Sequence, residues 1–309
     1  MVWERRKEDE IVTRQRKIQG MGFKILFELT KFRIVLLITL STATGFILAA
    51  DELSARILVP VFGIFLLVSG SSALNQYQEW KTDALMERTK LRPIPSGKIK
   101  PFNALFISLL FLLSGFLVLF FGTNLIALAL SLFAVLWYNG FYTYFKKINA
   151  FAVIPGSLIG AIAPAVGWVA GSGSVFEPQI LVIAFFFFIW QVPHFWLLLI
   201  TYGKDYEKAG LPSLTRTFTT EQLTRIIFIW ILATAVSTLL IPLYGVVNSF
   251  PVNICLIGLA LWLAWSATKL LKSRYNEFSF RFTFIEINIY ALLVITLLFA
   301  EKLFNPGYY

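Results

Sequence analysis

The sequence predicts an all-α, polytopic membrane protein with about nine transmembrane helices around a central cavity that opens to the cytoplasmic side. Three observations carry this expectation. Of 309 residues, 58% are hydrophobic and only 14% charged, and the mean hydropathy is +0.74. A water-soluble chain of this length cannot hide so much apolar surface. The apolar residues also fall into nine stretches, each near the ~20 residues that cross a hydrocarbon core as a helix. Finally, the basic residues are sided. With a cytoplasmic N-terminus and alternating stretches, only Arg56 and Lys302 among the 27 Lys and Arg residues fall outside, as the positive-inside rule requires. The net charge of +10 is therefore topological and calls for no nucleic-acid partner.

Taken in order, the stretches are Arg33–Ala50, Ile57–Leu74, Pro101–Phe121, Asn124–Phe141, Phe151–Gly171, Gln179–Thr201, Ile226–Gly245, Pro251–Leu271 and Phe282–Phe304. Residues 1–24 precede them, rich in both signs of charge and without the apolar run of a cleavable signal. They are expected to form a cytoplasmic arm, leaving 25–309 as one transmembrane domain. The acidic residues of the arm argue against a mitochondrial transit peptide, and a bacterial plasma membrane is the expected setting. The fifth stretch holds Pro155, Gly156, Gly160, Pro164 and Gly167. Such residues either allow close helix packing or break a helix that lines a cavity. The one cysteine, Cys255, sits inside an apolar stretch and is expected to be a small packing residue, with no disulfide framework. Glu286, in the last stretch, has Arg281 as its expected partner.

The external connections are short and nearly uncharged, whereas two cytoplasmic ones are long and polar: Asn75–Lys100 and Tyr202–Arg225. In the first, Asn75, Glu79 and Asp83 recur at i, i+4 and i+8. On a helix this stacks three oxygen-bearing side chains on one face, ~6 Å of rise apart. Arg88, Lys90 and Arg92 follow at once. Oxygen ligands for a hard divalent cation beside guanidinium and ammonium groups suit a magnesium–diphosphate. The second connection carries Lys204, Asp205, Glu207 and Lys208, and two such loops facing one compartment are expected to close over a shared cavity.

The residues at this point resemble a family. NQYQEWKTDALMERTKLRP keeps an N-x3-[D/E]-x3-D-x2-M-x-R-T-x2-R-P frame through Asn75, Glu79, Asp83, Met86, Arg88, Thr89, Arg92 and Pro93. LTKFR near residue 30, Tyr142-Thr143 with Lys146-Lys147, Gly160-Ala161 with Gly167-Trp168, WQVPHFW at Trp190–Trp196 and KDYEKAGLPSL at Lys204–Leu214 follow in order. Over roughly Leu29 to Tyr290 the pattern resembles the UbiA-type intramembrane prenyltransferases, and within them the protoheme IX farnesyltransferase (haem O synthase) branch. Departures are Phe32, Ala163 and Val192 in place of prolines, Glu79 in place of aspartate, and Ala152 where asparagine is usual.

The resemblance implies transfer of a farnesyl group from farnesyl diphosphate to a vinyl of haem B, giving haem O, with Mg2+ as cofactor. Membrane lipid surrounds the reaction, and a haem A synthase or terminal oxidase assembly is an implied partner. It implies metal contacts from Asn75, Glu79, Asp83 and Asp205, and diphosphate contacts drawn from Arg88, Arg92, Lys146, Lys147 and Lys204, with Arg88 and Lys147 favoured. His194, the only histidine, lies seven residues before Thr201, ~10 Å beneath the boundary. It is a candidate for haem binding or proton handling. Tyr142, Trp168, His194 and Trp196 form the expected acceptor pocket. Two alternatives stand beside this reading: a UbiA-type enzyme acting on an aromatic acid or quinone precursor, and a secondary transporter. A transporter is expected to carry charge near the midplane, whereas here the charges cluster past one face.

Overall fold

The computed structural model describes residues 22–50, 54–172, 174–272 and 277–304. Most of the expected N-terminal arm lies outside them. Among the described residues no strand occurs, and nine helices are long and apolar enough to cross a membrane. They are α1 (Phe32–Ala49), α2 (Leu58–Asp83), α3 (Pro101–Gly122), α4 (Leu125–Phe145), α5 (Leu158–Ser172), α6 (Pro178–Lys208), α7 (Thr220–Leu243), α8 (Phe250–Lys272) and α9 (Glu277–Phe304). Alternation puts the connections 84–100, 146–157 and 209–219 on one face of the bundle, here the long-connection face.

Local chemistry sets several boundaries. Pro101 opens α3 at a position where its missing N–H costs nothing. The Asn124 side chain accepts from the Ala127 amide at the start of α4. Thr219 and Gln222 form a reciprocal capping box on α7. At the opposite face Glu301 accepts from the amides of Asn248 (2.8 Å) and Ser249 (3.1 Å), anchoring the start of α8.

Two helices outrun their apolar stretches. α2 has 26 residues and α6 has 31, so they span ~39 and ~46 Å against a core of ~30 Å. Their ends therefore project beyond the long-connection face. The polar starts of both long connections, Asn75–Asp83 and Lys204–Lys208, are helical extensions of the spans rather than loops.

Packing relies on small residues. Gly70 of α2 presses on the Ser108 carbonyl and Leu112 amide of α3. Gly45 of α1 meets the Pro164 carbonyl of α5, and Gly167 of α5 meets the Thr42 carbonyl of α1. Without a hydrophobic drive between helices in lipid, close backbone approach of this kind holds a bundle together. The fifth stretch both packs closely and is broken. It breaks into a short helix, Val153–Gly156, followed by α5, and its glycines pack. Large apolar side chains such as Phe102, Phe106, Leu113 and Phe121 of α3 point outward, as a lipid-facing surface requires.

Two expectations are corrected. Cys255 is exposed rather than a packing residue. Glu286 accepts from Ser266 Oγ of α8 (2.6 Å); facing α8 rather than solvent, it pairs with a hydroxyl instead of Arg281.

Candidate active site

The site forms where α2 leaves the bundle. Asn75, Glu79 and Asp83 are all helical and buried, so the expected one-face stack is present. Each is held by a cation or by its neighbour. Lys146 Nζ donates to Glu79 Oε2 (2.7 Å), and Asn75 Nδ2 donates to the same oxygen (2.9 Å). One terminal guanidinium nitrogen of Arg92 donates to both Asp83 oxygens (2.8 and 2.7 Å). Lys31 Nζ donates to Asn75 Oδ1 (3.0 Å).

Each cation arrives through a distinct local device. Residues 22–30 form a helix, and Lys31 interrupts it in the left-handed region (φ 54°, ψ 47°) before α1 begins. A non-glycine residue there costs about 1–3 kcal/mol. The break turns the lysine inward, where a charge-assisted bond offsets the strain. Gln76 Nε2 fixes the same junction by donating to the Glu28 and Leu29 carbonyls (2.8 and 2.9 Å). Arg92 returns to Asp83 because the connection folds back in tight turns: Thr89, fully buried, donates through Oγ1 to the Asp83 carbonyl (2.9 Å).

Lys146 follows a π-helical stretch, Leu136–Tyr142, inside α4. Such stretches occur often at functional sites. Here Asn139 Nδ2 bonds the Ser71 carbonyl (3.0 Å) and Gln78 Oε1 (3.1 Å). Asn75 Nδ2 also lies 3.2 Å from Thr143 Oγ1. The wider turn places Asn139 and Thr143 against α2 and sends Lys146 to Glu79.

Electrostatics follow from this crowding. Burial, with the Arg92 and Lys146 charges nearby, pushes Lys31 down to about 7, although Glu79 and Asp83 work against it. Burial also acts to lower Lys146, but Glu79 beside it, aided by Tyr142, Tyr138 and Tyr206, outweighs burial and holds it above the usual lysine value. Two firm cations and a readily deprotonated lysine thus surround two carboxylates.

The second long connection meets the first. The Arg88 amide donates to Asp205 Oδ2 (3.1 Å), and the Arg88 guanidinium lies 5.2 Å from the Tyr202 ring centre. Tyr202 is also where α6 kinks (φ −114°, ψ 15°). Asp205 does not join Glu79 and Asp83 in one metal-holding group. Among the described residues no three His, Cys, Asp or Glu side chains gather to hold a metal. The donor set still fits magnesium arriving with a diphosphate. It is all oxygen, with two carboxylates one turn apart, and magnesium takes one or two carboxylates with substrate phosphates and water.

The other expected residues are dispersed. Lys147 stacks over the exposed ring of Tyr144 (5.4 Å) and Lys204 is exposed; among the described residues neither forms an ion pair with Glu79 or Asp83. Tyr142 stays at the site, with Lys146 Nζ 5.5 Å from its ring centre. Trp168 lies near the opposite end of α5, where its Nε1 donates to Glu177 (2.8 Å). Trp196 is buried edge-on to Trp230 of α7 (5.9 Å). His194 faces α9, with Nδ1 3.0 Å from Asn288 Oδ1. Each of the four thus has its own partner, and Trp168 lies at the other end of the bundle from Tyr142. A separate apolar groove lined by Pro178, Leu181, Val182, Phe185, Leu240 and Tyr244 opens at the opposite end, away from the charges. Sequence reasoning missed Lys31, Asn139 and Asn288.

A helical bundle with paired acids and bases clustered at one membrane face has the make-up of a membrane-embedded enzyme that handles an anionic, amphiphilic substrate. Residues 36–292 match the UbiA prenyltransferase family model, and the chain belongs to that family. Curated relatives named protoheme IX farnesyltransferase include those of Oleidesulfovibrio alaskensis and Nitratidesulfovibrio vulgaris. The first is 32% identical over 90% of this chain and 96% of its own; the second is 34% identical over 76% and 83%. Another, from Bdellovibrio bacteriovorus, is 40% identical over 62% of this chain and 67% of its own. Among solved structures, a digeranylgeranylglyceryl phosphate synthase shares the fold at TM-score 0.74 and 16% identity, covering 90% of this chain and 98% of its own. A UbiA homologue from Archaeoglobus fulgidus bound to GPP and Mg2+ does so at TM-score 0.65 and 16% identity, covering 89% and 98%. The protein is thus a multi-pass membrane enzyme, and the transporter alternative falls away.

Proposed function

We propose that this chain transfers the farnesyl group of farnesyl diphosphate to a vinyl carbon of protohaem IX (haem B), making haem O. The long-connection face is taken as the cytoplasmic side of a bacterial plasma membrane. The observation that carries the reading is the Asn75–Glu79–Asp83 stack interleaved with Lys31, Arg92 and Lys146 at one membrane face. The acceptor follows the names of the relatives.

The physical problem is ionising an allylic diphosphate without losing the carbocation to bulk water. Magnesium bound with the diphosphate supplies neutralisation of the leaving group. Glu79 and Asp83 would hold it, with Asn75 orienting them and Asp205 the acidic group of the second connection. Lys146 and Arg92 pair with those carboxylates, so the same two cations would stand beside the phosphate oxygens of a diphosphate bound there. Lys31 adds a third donor. In this assignment Lys146 replaces Lys147 as the inner lysine, while Arg88, with its backbone amide on Asp205, guards the mouth. When the C1–O bond of the substrate breaks, its electron pair leaves with the diphosphate. The vinyl π electrons then form the new C–C bond, and water captures the resulting cation with loss of a proton. Tyr142 and Tyr138, stacked at 5.8 Å, offer ring faces to the allylic cation. The product would pass to a haem A synthase or oxidase assembly.

The test is incubation of membranes containing the protein with farnesyl diphosphate, magnesium and haem B, followed by mass spectrometry of porphyrins. Appearance of the hydroxyethylfarnesyl product supports the reading. Prenylation of 4-hydroxybenzoate instead would move the assignment to the aromatic-acid branch.

A further inference from the structure

One polar contact in the apolar interior is unused by the proposed diphosphate chemistry. His194 of α6 lies among Trp190 and Phe284 (ring centres 4.9 Å from each) and Phe195 (5.2 Å, edge-on). Its Nδ1 is 3.0 Å from Asn288 Oδ1 of α9. The asparagine has a fixed orientation, because its Nδ2 lies 2.5 Å from the Phe284 carbonyl one turn back. A carbonyl only accepts, so the amide nitrogen must face it and the amide oxygen must face histidine. That oxygen also only accepts, so Nδ1 must carry the proton. In neutral imidazole the lone pair then resides on Nε2, which has no hydrogen-bonded partner among the described residues. The seam is pinned beside this pair: Trp190 Nε1 donates to the Ile287 carbonyl (2.8 Å), so the indole does not compete for Asn288.

We propose that Asn288 is a positioning residue. It holds His194 as the Nδ1–H tautomer and so presents Nε2 as a lone-pair donor to the iron of a metalloporphyrin acceptor. This rests on the haem reading above. A metal-ligating histidine ordinarily donates its other N–H to a fixed oxygen, and loss of that partner weakens metal binding by about 10- to 100-fold. An amide oxygen, unlike a carboxylate, leaves the imidazole a moderate donor, suited to an acceptor that must depart as product.

Two measurements test this, and they fail separately. The chain has one histidine, so 15N-histidine labelling gives a single pair of ring signals. A protonated Nδ1 and unprotonated Nε2 are expected in wild type, and an Nε2–H tautomer overturns the proposal whatever the acceptor. The second is haem B titration of the full chain in detergent, read by the Soret band and by the ferrous iron–histidine stretch. Asn288→Asp should keep affinity and raise that stretch. Asn288→Leu should lower it and weaken binding about tenfold, while His194→Ala should lose the band. If Asn288→Leu does not fold, Asn288→Asp with an unshifted stretch overturns the positioning role by itself. His194→Ala binding haem with an unchanged spectrum overturns iron ligation. Wild type that binds no haem, yet shows the expected tautomer, overturns the haem reading and with it the ligand role.

Discussion

The Glu79–Lys146 pair gives the sharpest quantitative test, through Glu79→Gln, Lys146→Met and the double variant. Removing one member of a buried ion pair costs about 3–5 kcal/mol, because the survivor keeps its charge. For Lys146→Met the structure points to the lower end, about 3 kcal/mol. Asn75 Nδ2 still donates to the same Glu79 oxygen at 2.9 Å, and Lys31 still lies within electrostatic reach of that carboxylate. Glu79→Gln leaves a lysine whose side chain is 23% exposed and which turns to water, so about 1–2 kcal/mol is expected. The double variant strands no charge and should fall within about 1 kcal/mol of wild type. The coupling is then about 3–5 kcal/mol, at or above the upper end for contacting residues. Denaturant unfolding in detergent, followed by tryptophan fluorescence, measures it. Single effects that add to within about 0.5 kcal/mol in the double variant would refute the pair. Turnover separates the roles: all three variants should lose magnesium-dependent transfer, including the double one that is stable.

Further outcomes follow from the same geometry. Asp83→Asn should keep the fold, since its amide oxygen still accepts from Arg92, yet lose turnover by at least about 100-fold, as losing a group aimed at developing charge does; single-turnover assays check it. Asp205→Ala removes the acceptor of the Arg88 amide, so trypsin should cut at Arg88 and Lys90 faster than in wild type. Gly167→Val drives a side chain into the Thr42 carbonyl and should cost about 3 kcal/mol or more, seen as a lowered melting temperature. Chelation should abolish transfer reversibly while leaving the melting temperature unchanged, because Lys146 and Arg92 already neutralise the carboxylates; a large drop would mean a structural metal.

Hydropathy made the nine spans legible, since a helix in lipid must satisfy its own backbone and so writes its length in apolar residues. The stack of Asn75, Glu79 and Asp83 was legible for a similar reason: spacing of four on a helix is geometry. What spacing cannot carry is the sign of a turn. Lys146 and Lys147 are adjacent, and only the π-helical stretch before them decides which points inward. Lys31 was harder still. A lysine between two apolar helices reads as topology, and its inward course depends on one left-handed residue that no periodicity announces. Asn288 and His194 are 94 residues apart, so their pairing belongs to tertiary structure. The dispersal of Trp168 and Trp196 has the same origin, because a tryptophan is apolar enough to pack against any helix neighbour.

The spacing within Met-x-Arg-Thr-x2-Arg-Pro has a physical rationale independent of catalysis by any one residue. Two buried carboxylates one turn apart repel each other, and a bundle that folds before substrate arrives must neutralise them from its own chain. Arg92 does so for Asp83 only because Thr89 ties the connection to the carbonyl of Asp83 itself, with Met86 buried beneath. A shift of one residue between Thr89 and Arg92 would aim the guanidinium away. In the proposed reaction the same cations stand beside the phosphate oxygens, so no unpaired charge is buried at either stage. A solvated charged loop needs no such register, so the fold-back fits a segment that must hold its own buried charges paired.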